Sequence, residues 1–167
     1  MSSYGTYTPY YNPPGQELAV PVPFANASDD NVRITGHEVN HTNQTVDMWI
    51  QWRMHPDGPL RTVRFAEFDV HEAKPQMVFD YWKSLGGRDV ATKLTEKNVQ
   101  AITDECESWY AIQYTGYDDM VDIVVKCAIK SDYPRLVRNW NEAKRSRGRT
   151  EYCPSTPSGE LVGFWID

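Results

Sequence analysis

Apolar and polar residues alternate in segments between Val32 and Val70, and the alternation gives way to another period around Pro75. "VRITGHEV" (Val32–Val39) reads as a strand broken at Gly36. "TVDMWIQWR" (Thr45–Arg53) reads as a second strand, with Met48, Ile50 and Trp52 on one face. "MHPDGPL" is a turn, because Pro-Asp-Gly supplies the backbone angles a reversal needs. "RTVRFAEFDV" (Arg61–Val70) alternates again and predicts a third strand, with Val63, Phe65, Phe68 and Val70 on its buried side. "HEAKPQMVFDYWKSL" then changes to helical period. Pro75 suits a first helical turn, where its missing N–H is not needed. Val78, Tyr81, Trp82 and Leu85 fall at i, i+3, i+4 and i+7, a core-facing stripe. Gly86-Gly87 predicts the stop.

The same order of elements recurs between Asn98 and Arg145. "WYAIQY" stands where "MWIQW" stood, and "TGYDD" is a turn like "HPDG". "MVDIVVKCAI" matches "RTVRFAEFDV", and "SDYPRLVRNWNEAK" matches "EAKPQMVFDYWKSL". Pro134 takes the place of Pro75, Val137 that of Val78, and Trp140 that of Tyr81. An internal duplication is the reading. It predicts an α+β fold of two tandem units, each a small curved three-stranded antiparallel sheet closed by a C-terminal helix. Units are expected at 31–88 and 97–150. They are flanked by a disordered or extended arm (1–30), rich in Pro, Gly, Ser, Tyr and Asn, and by a tail (151–167) with a candidate extra strand.

These residues resemble the chromo shadow domains of heterochromatin protein 1 relatives. The resemblance rests on Gly36, "DMWIQWR" and "VRFAEFDVHEAKPQMVFDYW" in the first copy, and on "ITDECESWYAIQY" and "VDIVVKCAIKSDYPRLVRNW" in the second. It implies a chromo-like fold in both copies and a dimerisation module. In the family an apolar residue four positions after the helix proline sits at the centre of a helix crossing. Here that residue is Phe79, off the core stripe, with Trp82, Val78 and Lys83 beside it as candidate interface residues. The second copy has Arg138 there, and an arginine facing its own copy is repelled. Either the two units pair within one chain, or the first dimerises between chains. The family also captures an extended peptide in a groove lined by a Trp after the helix. This chain has "LGGRDVATK" in that region, with Arg88 and no Trp; Trp165 in "ELVGFWID" is a candidate substitute. Leu18, Val20 and Val22 have the spacing of such a peptide. Chromodomains proper hold methyl-lysine in an aromatic cage, for which Trp52 and Trp109 are the candidate rings.

Charge narrows the partners. A net charge of −6 argues against a main task of gripping nucleic acid. "AKRSRGR" (Ala143–Arg149) predicts weak, salt-dependent nucleic-acid contact at most. Three cysteines, Cys106, Cys127 and Cys153, predict no disulfide framework and a reducing compartment, with Cys127 buried in a strand. Glu67, Asp69 and Glu72 read as solvated acids on an exposed strand, and His37 and His41 as surface histidines. No metal site, cofactor, nucleophile elbow, signal peptide or membrane span is expected. The expectation is a non-enzymatic nuclear adaptor acting through protein partners, as a homo- or heterodimer, in chromatin or silencing complexes. A tandem reader of methylated histone tails or RNA is the rival.

Overall fold

The structure, a computed structural model, describes residues 18–118 and 120–147. The chain divides into two compact units. The first holds residues 18–100 and 115–118; the second holds 101–114 and 120–147.

In the first unit β1 (Val32–Asn40), β2 (Thr45–Trp52) and β3 (Arg61–Ala66) form an antiparallel sheet in that order. The alternation in β2 is complete. Val46, Met48, Ile50 and Trp52 are buried, and the residues between them face outward. A bulge between Ile34 and Gly36 shifts the register of β1, which is where the sequence has its glycine. The third strand is shorter than its pattern predicts. It ends at Ala66, and Glu67–Ala73 forms α1. Phe68 and Val70 are buried as expected, but from a helix, while Val63 on the strand is 44% exposed. A run of apolar residues every two or three positions fits either period, and the helix wins because it turns the chain back over the sheet.

Lys74, with φ −140° and ψ 65°, separates α1 from α2 (Pro75–Ser84). The clash with the proline ring disfavours helical angles for the residue before it, and Lys74 is accordingly non-helical. Val78 and Trp82 are buried, Tyr81 is half-buried, and Leu85, just past the helix end, is exposed rather than in the core stripe. The helix stops at the glycine pair, where Gly87 N–H donates to the Trp82 carbonyl at 2.8 Å. A short helix that the sequence reading did not foresee, α3 (Arg88–Thr92), follows.

The predicted arm is part of this core from Val22 onward; residues 1–17 lie outside the described residues. Phe24 is fully buried, with its ring 5.1 Å from Phe65 and 5.6 Å from Trp52. Val22 and Ala27 are buried beside it. Asp69 accepts from the Val20 amide at 2.8 Å, and Lys74 Nζ donates to the Ala27 carbonyl at 2.7 Å.

The second unit contains β5 (Trp109–Tyr114), β6 (Val121–Val125), α4 (Lys126–Asp132) and α5 (Pro134–Ser146). β4 (Val99–Glu105) enters from the first unit at Ala101 and pairs with β5. The internal geometry repeats that of the first unit. The stretch from third strand to long helix runs at a constant offset of 59 residues: Ala66 corresponds to Val125 and Pro75 to Pro134. Tyr133, at φ −135° and ψ 61°, repeats the Lys74 joint. Asp47 pairs with Ala66 as Trp109 pairs with Val125, and Met48 with Phe65 as Tyr110 with Val124. Buried Met48, Ile50 and Trp52 correspond to buried Tyr110, Ile112 and Tyr114.

The cysteine reading needs correction. Cys106 is disulfide-bonded. Cys127 is an exposed free thiol, because helix α4 begins at Lys126 and places it outward. Cys153 lies outside the described residues. Among the described residues no helix is long and apolar enough to cross a membrane.

Candidate functional site

Three clusters bring chemistry together, one in the first unit and two in the second. In the first unit Glu67, the opening residue of α1, is buried rather than solvated. Its carboxylate accepts from Trp82 Nε1 at 2.7 Å and from Arg88 Nη2 at 2.6 Å and Nε at 2.9 Å. Glu67, Trp82 and Arg88 are 1%, 2% and 3% exposed. Gly116, at φ +87°, lies against this pair. A Cβ there would strike Glu67 Oε2 and come within 2.6 Å of Arg88 Nε, so only glycine fits. The Gly116 amide donates to His71 Nδ1 at 2.9 Å. Arg88 lies 5.4 Å from the Tyr117 ring centroid, and the Tyr117 hydroxyl donates to Asp89. Burial, aided by that bond to Asp89, pushes the Tyr117 hydroxyl up to about 12. Burial works against the Arg88 charge, but the charge and hydrogen bonds of Glu67 outweigh it and hold the guanidinium protonated. The cluster ties α1, α2, α3 and the 115–118 loop into one piece. Its work is structural.

The second unit solves the same problem with the signs exchanged. Lys126 occupies the position equivalent to Glu67, and the acid is Glu105 at the end of β4. Glu105 accepts from Lys126 Nζ and Lys144 Nζ, each at 2.7 Å, and from Trp140 Nε1. Burial alone would raise its pKa. The hydrogen bonds from Lys126, Lys144 and Trp140, with the Lys126 charge, outweigh it and lower the pKa to about 2. A folded pKa below the ordinary 4.5 means this cluster stabilises the fold fully above that pH and loses its contribution as pH falls towards about 2. Acid titration followed by circular dichroism should therefore show Glu105→Gln to be less acid-sensitive than the wild type in that window. Identical acid-unfolding curves would remove the cluster from the stability account.

The third cluster is a sheet face. On β5 and β6, Trp109 pairs with Val125, Ala111 with Ile123 and Gln113 with Val121; Ala111 is buried, and Ile123 and Gln113 are half-buried. Trp109, Val121 and Val125 are 37%, 39% and 40% exposed. The equivalent pairs of the first unit each carry a polar or charged residue: Asp47 with Ala66, Trp49 with Arg64, Gln51 with Thr62. There Glu38 accepts from Arg64 and from Trp49 Nε1, each at 2.9 Å, and the Arg64 guanidinium covers the Trp49 ring. The same scaffold thus presents a charge-laced face in one unit and an apolar patch in the other.

The residues expected at an interface are dispersed by this arrangement. Val78 and Trp82 are sealed in the core and offer a partner nothing, because the helix stripe that packs on the sheet includes both. Phe79 is half-buried, its ring centroid 5.2 Å from that of His71 and the two rings nearly perpendicular. Lys83 is exposed, 3.7 Å from Asp118. Arg138 is exposed on α5 of the other unit. Trp52 is no cage ring: it is buried against Phe24 and Phe65. Trp109 does face outward, and Trp165 lies outside the described residues. His37 Nδ1 is 2.7 Å from the Tyr81 hydroxyl. Glu67, Arg88, Gly116 and Glu105 were not foreseen as a set. The one sequence signal was an acid at the point where an apolar strand pattern gives way to a helix.

No protein-family model matches the chain, and no match is found among curated proteins or solved structures.

Proposed function

We propose that this protein is a non-enzymatic adaptor that works by protein–protein association. The apolar patch of Trp109, Val121, Ile123 and Val125 carries the proposal. Trp109, Val121 and Val125 expose apolar side chains on one side of β5 and β6, with Ile123 half-buried between them, where the first unit pairs Arg64 with Glu38 and Asp47; a solvated sheet face avoids such a patch and a docking face requires it. Half-buried Phe79 on α2 is the second candidate contact. The chromo shadow resemblance, carried by strand and helix motifs in both copies, supplies the setting: partner recruitment in a nuclear chromatin or silencing complex. The Cys106 disulfide pulls against a nuclear setting, where thiols are kept reduced.

One experiment tests both surface and setting. Tagged protein is incubated with separate nuclear and cytosolic extracts, and retained proteins are quantified by mass spectrometry. The comparison uses Val121→Glu/Val125→Glu and Phe79→Glu, with circular dichroism confirming the fold. Chromatin proteins should be retained from the nuclear fraction and fall at least tenfold with the double variant. Retention from the cytosolic fraction alone removes the nuclear setting. Undiminished retention by the double variant and by Phe79→Glu removes the adaptor reading.

A further inference from the structure

We propose that β6 pairs with β6 of a second copy of this chain, antiparallel about a two-fold axis at Ile123, so that two three-stranded sheets continue into one. This rests on reading that side of β5 and β6 as an association surface. Backbone direction sets the register. The sheet order is β4-β5-β6, so among the described residues β6 is an edge strand. Lys126 N–H donates to the Ser108 carbonyl at 3.0 Å. Along an antiparallel strand, alternate residues turn their N–H and C=O to the same neighbour. Asp122 and Val124 therefore bond to β5, opposite Ile112 and Tyr110. Val121, Ile123 and Val125 turn their backbone groups to the open side. These are the same three residues whose side chains stand with Trp109, two of them exposed and Ile123 half-buried.

The strand is its own complement. β6 is five residues long with Ile123 at its centre. A two-fold there sets Val121 opposite Val125 of the second copy, Ile123 opposite its own copy, and Asp122 opposite Val124. Each pair of outward-turned residues exchanges two backbone hydrogen bonds, and the paired side chains are all β-branched and apolar. Moving the axis to Asp122 would set two like charges face to face, which opposes that register. The sister edge excludes the same arrangement. Matching pairs place Arg64 of β3 where Ile123 stands and Thr62 where Val121 stands. A two-fold at Arg64 would bring two guanidinium groups together. Charge on an edge strand is how sheets avoid pairing with one another, and the outward-turned residues of β6 carry none. Pairing also joins the two exposed patches, so an external partner meets a larger face than one copy offers.

The test uses the full chain. Its light-scattering mass, followed against concentration, should rise from that of one chain towards twice that. Ile123→Arg gives β6 the charge its sister edge carries and should hold the mass at one chain with an unchanged circular dichroism spectrum. If that variant does not fold, a covalent trap decides. In a Cys127→Ser background, Ile123→Cys should form an interchain disulfide on mild oxidation, because opposed residues of a hydrogen-bonded pair lie about 5.5 Å apart at Cα, within disulfide reach. Arg64→Cys in the same background should form at least tenfold less. A wild type that keeps the mass of one chain up to its highest soluble concentration overturns the pairing. So does a dimer that survives Ile123→Arg, or equal trapping at the two positions. A dimer with no protein retained in the extract assay sinks the adaptor reading and leaves the pairing standing. Partner retention by a wild type that stays monomeric sinks the pairing alone.

Discussion

Arg88→Met is expected to cost the first unit about 3–5 kcal/mol, enough to consume much of the stability of a domain this size. The reason lies in what remains behind. Glu67 is 1% exposed and takes three of its hydrogen bonds from Arg88. Methionine fills most of the volume but leaves a buried carboxylate facing no cation. The attraction that was lost is the smaller part; the larger is an ion stranded in a medium that does not solvate it. A companion variant separates the two. Glu67→Met/Arg88→Met removes both charges and should recover a substantial part of the loss. It will not recover all, because Trp82 Nε1 donates to Glu67 and is then a buried N–H without an acceptor, worth about 1–3 kcal/mol. Urea unfolding followed by circular dichroism measures all three proteins. A single-variant loss under about 1 kcal/mol, or a double variant worse than the single, would show that the pair does not hold α1 to α3.

Phe24→Ala is expected to destabilise the same unit by about 3–5 kcal/mol, the range for deleting a fully buried ring. Phe24 has no exposed surface and meets both Phe65 and Trp52, so the three rings form one contact across the inward face of the sheet. Alanine leaves a hole that two large rigid neighbours fill poorly. The segment around it is pinned at both ends. Val20 N–H is bound by Asp69, and the Ala27 carbonyl is bound by Lys74, which also pairs with Asp29 at 2.9 Å. The prediction bears on how the chain is divided. A composition of prolines and small residues reads as a linker, yet here it supplies a core ring. A cost below about 1 kcal/mol in thermal or urea unfolding would return residues 18–31 to the status of a loose arm.

The two predictions concern residues that sequence reading placed wrongly, and for a shared reason. Glu67 and Arg88 are 21 positions apart, and Gly116 lies 28 beyond Arg88. Nothing within a window of ten residues around any of them marks the others. Local reading therefore gave Glu67 the commonest fate of an acid, exposure, and gave Arg88 only a negative meaning as a missing tryptophan. Trp82 shows the same limit on one helix. Its period put it in the stripe beside Val78, and its aromatic character suggested a partner surface; the period was the sounder guide, because packing on the sheet is settled by position around the helix axis. Cys127 failed for a different cause. The strand ends at Val125, four residues short of the pattern that runs to Ile129, and Cys127 falls on helix α4 facing outward.

What the residues determined alone is the local grammar: alternation in β2 and β5, prolines opening α2 and α5, glycines closing α2, and one order of elements written twice with an offset that never varies from third strand to long helix. These follow from each residue's preference for one backbone geometry and from the period with which apolar groups return. Only the tertiary structure decided which charges share a burial, that Phe24 belongs to a core, and that the two outward sheet faces carry opposite character. Burial and charge pairing depend on distances through space between groups far apart along the chain, and no local period encodes them.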